Sequence, residues 1–157
     1  MTALVAYFTA SGAGVTEKIA DRLCRILDAE IYEIRPEAPY TKEDLDWTKT
    51  DSRSSVEMAD KNCRPALADK DAHVENADVI YIGFPVWWYR EPSIIDTFVE
   101  SYDFTGKKIA LFATSGSSDI GTEAPERIEK LTGAKVVGAK RFPASASDEE
   151  LKNWAKF

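Results

Sequence analysis

Hydroxyl groups and glycines gather in the stretch FTASGAGVTEKIA, Phe8 to Ala20, which follows the apolar run ALVAY. The apolar run predicts a buried strand, and the periodic segment from Thr16 predicts a helix. A glycine-rich turn between a strand and a helix directs several backbone N–H groups and the positive helix end toward one point. The stretch therefore predicts a phosphate site.

Two further loops follow apolar strands and carry residues suited to a flat ligand. PVWWYREP, Pro85 to Pro92, presents Trp87, Trp88 and Tyr89, whose rings can stack on a planar group or shield it. TSGSSDIG, Thr114 to Gly121, offers small residues whose backbone can approach a heterocycle closely. Open parallel sheets bind ligands beyond the carboxyl ends of their strands. Together the three loops predict a mononucleotide with a large aromatic head.

Strand and helix patterns alternate along the chain, and VIYIGF and IALFA are typical of strands covered on both faces. The predicted strands are Ala3 to Phe8, Ala29 to Ile34, Val79 to Phe84, Lys108 to Ala113 and Lys135 to Val137. The predicted helices are Thr16 to Asp28, Pro92 to Tyr102, Thr122 to Thr132 and Ser147 to Lys156. This alternation predicts one α/β domain over residues 1–157, built on a doubly wound parallel sheet.

The segment from Glu37 to Asn76 breaks the alternation, because it mixes short helix-like pieces with loop residues. A long stretch without regular structure is unusual inside a compact domain. We therefore expect the segment to pack as short helices or to form part of a site. Trp47 and Met58 are the side chains expected to anchor it.

Composition narrows the classes of partner. The formal net charge of −7 argues against nucleic acid and against acidic membrane surfaces, and it suits a basic partner protein. The sequence contains no apolar run of membrane-spanning length and no secretory signal, so a cytoplasmic protein is expected. Cys24, Cys63 and the single histidine, His73, offer little material for a metal site.

At the three loops the sequence resembles the short-chain flavodoxin-like proteins. The blocks VAYFTASGAGVTEKIA, IGFPVWWYREPSIIDTFVES and LFATSGSSDIG carry the resemblance, and PYTKEDLDW and SRSSVEM extend it over nearly the whole chain. The resemblance implies a flavodoxin-like, five-stranded sheet in the order 2-1-3-4-5. It also implies non-covalently bound FMN, with the phosphate in the first loop and the isoalloxazine ring between the other two.

By position, the resemblance implies cofactor contacts in all three loops. The implied residues are Thr9, Ala10, Ser11, Gly12, Ala13, Gly14, Val15 and Thr16 in the first loop, Pro85, Val86, Trp87, Trp88 and Tyr89 in the second, and Thr114, Ser115, Gly116, Ser117 and Asp119 in the third. The first loop departs from the family pattern, because Gly12 and Thr16 are separated by two extra residues. Which of Ala13, Gly14 and Val15 donate to the phosphate stays open.

An FMN site in an acidic protein predicts a low-potential electron carrier for basic redox partner proteins, acting as a monomer or weak dimer. The alternative is an NAD(P)H-dependent FMN reductase of quinones or similar acceptors. In that case Arg35, Arg53, Lys61 and Arg64 are the candidates to hold a nucleotide phosphate. A third possibility is a flavodoxin-like module without useful FMN affinity. NAD as the primary cofactor is disfavoured, because Glu17 occupies the third glycine position of the dinucleotide fingerprint.

Overall fold

A computed structural model describes residues 2–10, 14–115 and 120–157. It contains a five-stranded parallel sheet in the order β2-β1-β3-β4-β5, which confirms the predicted fold class and strand order. The strands are β1 (Ala3–Tyr7), β2 (Glu30–Glu33), β3 (Val79–Pro85), β4 (Lys108–Thr114) and β5 (Lys135–Phe142). The helices are α1 (Val15–Leu27), α2 (Arg53–Ala59), α3 (Ser93–Glu100), α4 (Glu123–Thr132) and α5 (Asp148–Trp154), with a short 3-10 helix at Val74–Asn76.

Successive side chains of the central strands point to opposite faces of the sheet, and helices cover both faces. The strands are therefore buried on both sides. On one face, Ile80 and Leu111 belong to a core that includes residues of α3 and α4. On the other face, Tyr81 and Phe112 pack with residues of α1 and α5. The nearly continuous apolar runs of β3 and β4 therefore fill two cores at once, and this rigid sheet positions the loops at its carboxyl edge.

Gly83 lets β3 pass directly beneath an aromatic ring. A Cβ atom at this position would lie 2.1 Å from Cζ of Phe112, which is fully buried in the neighbouring strand. Any side chain at residue 83 must therefore displace that ring.

The last strand is longer than predicted, because β5 continues from the expected end at Val137 to Phe142. Its pairing with β4 skips Val137, as at a β-bulge. Gly138 follows, and a Cβ there would lie 2.4 Å from Cζ of Phe157, so the C-terminal ring covers the strand at the glycine. In sequence, Gly138 and the charged residues after it resemble the end of a strand. In the structure the glycine instead marks the place where the Phe157 ring approaches the backbone of β5.

The helix ends lie within one or two residues of the predicted bounds. Ser147 caps α5, since its Oγ accepts a hydrogen bond of 3.1 Å from the N–H of Glu150. Gly133 ends α4 in a left-handed conformation (φ 71°).

The irregular segment, residues 37–76, contains α2 and the 3-10 helix joined by turns. Met58 is 7% exposed and anchors it, as predicted. Trp47 is 74% exposed, so its predicted anchoring role is wrong. Tyr40 fills that role instead, because its ring packs against Phe8 at a centroid distance of 5.8 Å.

In the part of the chain that the structure describes, no helix is long and apolar enough to cross a membrane. The same residues contain no group of three or more His, Cys, Asp or Glu side chains placed to hold a metal ion. Cys24 and Cys63 are free thiols, and burial raises the pKa of each, which lowers their reactivity.

Candidate functional site

The carboxyl ends of β1, β3 and β4 meet at one edge of the sheet. Parallel pairing of Tyr7 with Gly83 and of Pro85 with Thr114 sets the three ends side by side. The predicted site residues that the structure describes here are Thr9, Ala10, Gly14, Val15, Thr16, Pro85, Val86, Trp87, Trp88, Tyr89, Thr114 and Ser115. The predicted residues Ser11, Gly12, Ala13, Gly116, Ser117 and Asp119 lie outside the described residues.

Gly14 directly precedes α1 and has a left-handed backbone (φ 61°, ψ 35°). Glycine adopts this conformation without the steric cost that a Cβ adds. Because α1 begins at Val15, the N–H groups of its first turn have no acceptor within the helix and are directed toward the first loop. Amides at a helix N-terminus suit a phosphate or another anion.

Thr16 joins the first loop to the third. Its side chain is 2% exposed, and its Oγ1 lies 2.7 Å from Oγ1 of Thr114, which is itself buried. The two hydroxyls share a hydrogen bond, so the pair fixes the separation of the loops. The resemblance implied a phosphate contact for Thr16, and the structure also gives its hydroxyl a partner within the protein.

Glu17 brings a negative charge to the start of α1. Its side chain is exposed, and its Oε2 lies 3.4 Å from the position that a Cβ would take at Gly14. A carboxylate at a helix N-terminus is itself stabilised by the helix dipole. It therefore competes with an anionic ligand for the same amides.

Trp87 and Trp88 face different environments. The half-buried ring of Trp87 meets Phe8 and Tyr40 edge to face, at centroid distances of 5.6 and 5.5 Å. Trp88 and Tyr89 are exposed, by 45% and 73%. Trp87 thus fixes the irregular segment against the sheet, while its two neighbours remain available to a ligand.

A tight turn presents these exposed rings. The N–H of Trp87 donates to the carbonyl of Arg90 and the N–H of Arg90 donates to the carbonyl of Trp87, both at 3.0 Å. Both central residues are left-handed, Trp88 with φ 49° and Tyr89 with φ 63°. Turns of this kind favour asparagine and glycine, and a bulky residue in such a conformation costs about 1–3 kcal/mol. This strain persists because the following residues are held firmly.

A charged cluster of the buried residues Arg90, Glu91 and Asp96 with the half-buried Arg127 holds the turn in place. Arg90 is 3% exposed, and Glu91 and Asp96 are fully buried. The Arg90 guanidinium donates to the carbonyls of Glu91 and Met58, both at 3.1 Å. Arg127 donates to both carboxylate oxygens of Glu91, at 3.1 and 3.2 Å. The cluster therefore ties the turn to α2, α3 and α4.

The buried carboxylates of Glu91 and Asp96 influence each other's pKa. Burial and the neighbouring Asp96 carboxylate raise the pKa of Glu91, and burial raises the pKa of Asp96. Nitrogens of Arg127, Arg90 and Arg64 lie 3.7, 3.9 and 4.0 Å from Asp96 Oδ2. Neither Asp96 oxygen has a hydrogen-bond donor among the described residues. A protonated Glu91 would supply that donor.

The third loop begins at Thr114 and Ser115. The carbonyl of Thr114 accepts a hydrogen bond of 3.1 Å from the N–H of Val86, which joins the second loop to the third. The carbonyl of Ser115 accepts one of 3.2 Å from Arg141 of β5. The start of this loop is thus held by the second loop on one side and by β5 on the other.

The four cations predicted as candidates to hold a nucleotide phosphate all have carboxylate partners. Arg35 pairs with Asp69 at 2.7 Å, Arg53 with Glu57 at 3.1 Å, Lys61 with Glu123 at 2.6 Å, and Arg64 with Glu100. Arg53 also lies over the ring of Tyr40, 3.9 Å from its centroid.

Trp47 and Ser54 border the site, although sequence reasoning assigned them no contact with a ligand. Both line a cavity of about 200 Å³ whose other walls include Ala10 and Trp88. Ser54 is 2% exposed, and its Oγ has no hydrogen-bond partner among the described residues. The only signal that could have found them was their place in PYTKEDLDW and SRSSVEM, the blocks that extended the resemblance.

Two larger cavities flank this one. One, of about 420 Å³, is lined by Trp47, Val86, Trp87, Trp88 and Tyr89. The other, also of about 420 Å³, is lined by residues that include Thr9, Ala10, Glu33, Arg35, Glu37 and Tyr40. Ala10 and the aromatic side chains thus connect a continuous concave surface along the edge of the sheet.

Comparisons with known proteins agree with this architecture. The sequence profile of the flavodoxin family matches residues 2–157. The structure of a candidate flavoprotein from Bacteroides uniformis shares 44% identity, with a TM-score of 0.91, and covers 99% of this chain and 98% of that one. A second candidate flavoprotein, from Bacteroides eggerthii, shares 37% identity, with a TM-score of 0.89, over 98% of this chain and 94% of that one.

A more distant likeness bears on the fold alone. A flavoprotein from Lactobacillus acidophilus, whose structure was determined in complex with FMN, shares 24% identity over 99% of both chains, with a TM-score of 0.72. Among the curated proteins, no sequence gives a significant match.

Proposed function

Since this chain belongs to the flavodoxin family, we propose that it binds FMN at the carboxyl edge of the sheet and carries single electrons at low potential. The family assignment confirms the predicted cofactor, FMN. The flavin supplies the redox chemistry when bound, and the protein supplies binding, orientation and electrostatics.

The described residues fit the separate parts of FMN. The amides of the first turn of α1, preceded by Gly14, suit the phosphate. The exposed rings of Trp88 and Tyr89 line the concave surface where a planar ring system can lie. The cavity bordered by Ala10 and Pro85 lies between these two places and suits the ribityl chain.

The observation that favours the carrier role is that Arg35, Arg53, Lys61 and Arg64 are all paired with carboxylates. A hydride-transferring reductase needs a place for the phosphates of NAD(P)H. Each of the four candidate cations already has a carboxylate partner, and Glu33 and Glu37 line the cavity beside Arg35. A dinucleotide would therefore have to enter against local negative charge and against the net charge of −7. The same charge suits a basic redox partner protein.

An NAD(P)H-dependent FMN reductase of quinones or similar acceptors is the second candidate. It is favoured by the cavity of about 420 Å³ that borders Thr9, Ala10 and Arg35, which is large enough for part of a second ligand.

Titration of the cofactor-free protein with FMN and with riboflavin tests the binding site. We expect FMN to bind at least about tenfold more tightly, because one hydrogen bond to a charged group is worth about 1.5–3 kcal/mol. Equal affinities would contradict a phosphate site at α1.

Anaerobic photoreduction of the FMN-loaded protein, followed by absorbance, tests the carrier role. We expect reduction in two separate one-electron stages. A single two-electron stage would contradict it.

A further inference from the structure

Exposed aromatic side chains converge on one place in this protein. Of the five large apolar side chains exposed in the described part of the chain, three are aromatic, namely Trp47, Trp88 and Tyr89. All three line the same cavity of about 420 Å³. Clustered exposed aromatic rings around a concave surface are typical of a binding site for an apolar or planar group.

Ser54 gives an independent sign of a ligand at the same place. Its hydroxyl is almost completely buried, lacks a hydrogen-bond partner among the described residues, and belongs to a side chain that lines the cavity shared by Trp47 and Trp88. Buried hydroxyls are nearly always satisfied, because an unpaired one loses its hydration without compensation. A ligand with a polar atom in this cavity supplies the missing partner.

The polypeptide around these residues is held in place before any ligand arrives. The N–H of Ser54 donates to the carbonyl of Asp44 at 2.9 Å, and Ser52 caps α2 through its side chain. Thr41 and Asp44 exchange hydrogen bonds of 2.9 and 3.1 Å between backbone and side chain. Trp47 thus projects from an ordered turn, and its exposure is a feature of the fold.

We propose that residues 41–54 form a fourth wall of the FMN site, in which Trp47 packs on the isoalloxazine ring and Ser54 Oγ hydrogen-bonds to a polar atom of the cofactor. This inference rests on the proposed FMN binding, and it adds a contact surface outside the three loops that follow the strands. An uncharged wall with one hydroxyl matches a flavin, whose ring is flat and whose edge and ribityl chain carry polar atoms. A bare phosphate would find no cation among the residues that line this cavity.

The variant Ser54→Ala separates a ligand-binding hydroxyl from a structural one. We expect the dissociation constant for FMN to rise about five- to tenfold, since one neutral hydrogen bond is lost. The urea midpoint of the cofactor-free protein should stay unchanged or rise, because an unpaired buried hydroxyl has been removed. Unchanged FMN affinity together with a lower urea midpoint would overturn the proposal, because the hydroxyl would then have a structural role.

The variant Trp47→Ala tests the ring contact. We expect the dissociation constants for FMN and riboflavin to rise by the same factor, about tenfold or more, because both ligands carry the same ring. Trp47→Phe should restore most of the affinity. Val56→Ala, which shortens an exposed apolar side chain of the nearby helix α2, is the matched control and should bind both ligands like the parent protein. Parent-like binding by Trp47→Ala would overturn the proposal.

The same titrations of the parent protein distinguish a failure of the proposed FMN binding from a failure of the fourth wall alone. If the parent protein binds neither flavin, the proposed function fails. If it binds FMN and the Ser54 and Trp47 variants bind FMN equally well, the function stands and the fourth wall is wrong.

Discussion

Glu17 places a carboxylate where the proposed site receives a phosphate. Its Oε2 lies close to Gly14, at the start of α1, so the two negative charges repel each other. We expect Glu17→Gln to strengthen FMN binding by about 0.5–1 kcal/mol and to leave riboflavin binding unchanged. Parallel titrations of both flavins measure this difference. Asp21→Asn removes the same charge one turn further along α1 and should have a smaller effect, and an equal gain for riboflavin would contradict the phosphate position.

Glu91 makes the stability of the protein depend on pH in an unusual direction. The pKa of an unfolded glutamate is about 4.3, whereas burial and Asp96 raise the pKa of the folded Glu91. Between the two pKa values the folded state holds more protons than the unfolded state. The stabilising contribution of protonated Glu91 to the free energy of unfolding is therefore complete below about pH 4.3. It is lost as pH rises toward the pKa of the folded Glu91.

We expect Glu91→Gln to remove this dependence. The free energy of unfolding of the parent protein should carry a negative term of up to about 1.4 kcal/mol per pH unit in that range, and the variant should lack it. Urea unfolding of the cofactor-free protein at several pH values measures the slope. Glu149→Gln changes an exposed glutamate of α5, outside the charged cluster, and serves as the control. Identical slopes for the parent protein and Glu91→Gln would contradict a proton held by Glu91 in the cluster.

The roles of some individual residues could be predicted from the sequence, and those of others could not. The split roles of Trp87 and Trp88 follow from strand geometry, because adjacent residues leaving a strand point to different sides. A tryptophan in an irregular segment predicts an anchor for that segment, but Trp47 is exposed. The orphan hydroxyl of Ser54 and the pairing of Glu91 with Arg127 depend on residues far apart in the chain. No local pattern reveals such contacts.

At the scale of elements, the sheet could be predicted from the sequence, whereas the conformations of the connecting turns could not. Continuous apolar runs identify β3 and β4, the apolar face identifies α1, and start or stop residues identify α4 and α5. The turn at Trp88 and Tyr89 carries no sequence signal, because these residues rarely adopt a left-handed backbone. It exists because the buried Arg90 and Glu91 hold it, which is a tertiary effect. The prediction ends β5 too early for a similar reason, since the ring that covers Gly138 belongs to Phe157, which is distant in the chain.

Gly83 tests how tightly the two central strands are packed. We expect Gly83→Ala to destabilise the protein by about 1–3 kcal/mol, because its Cβ would overlap the Phe112 ring. Phe112→Leu should cost stability alone but partly rescue Gly83→Ala, since the smaller side chain leaves room. Urea unfolding of the parent, both single variants and the double variant completes the cycle, and strictly additive costs would contradict the steric explanation.

At the scale of the whole molecule, the negative net charge and the exposed aromatic residues of the site together bear on which partners can approach a bound flavin. The net charge of −7 and the paired cations near the site disfavour a dinucleotide, while the exposed aromatic residues leave a surface through which a bound flavin can meet a partner. The net charge alone predicts a basic partner protein from the sequence, and this stays a prediction. The carboxylate partners of Arg35, Lys61 and Arg64 lie far from them in the chain, so only the structure reveals these ion pairs.

Anaerobic rapid mixing of the FMN-loaded protein with NADH and with NADPH is the most direct test of the carrier role. A reductase of ordinary speed completes a turnover in roughly 0.1 s. We predict that the flavin absorbance stays unchanged on this timescale with either nucleotide, while dithionite reduces the same sample completely. Bleaching of the flavin by NADH or NADPH within a turnover time, in one two-electron stage, would contradict the account and identify the protein as a reductase.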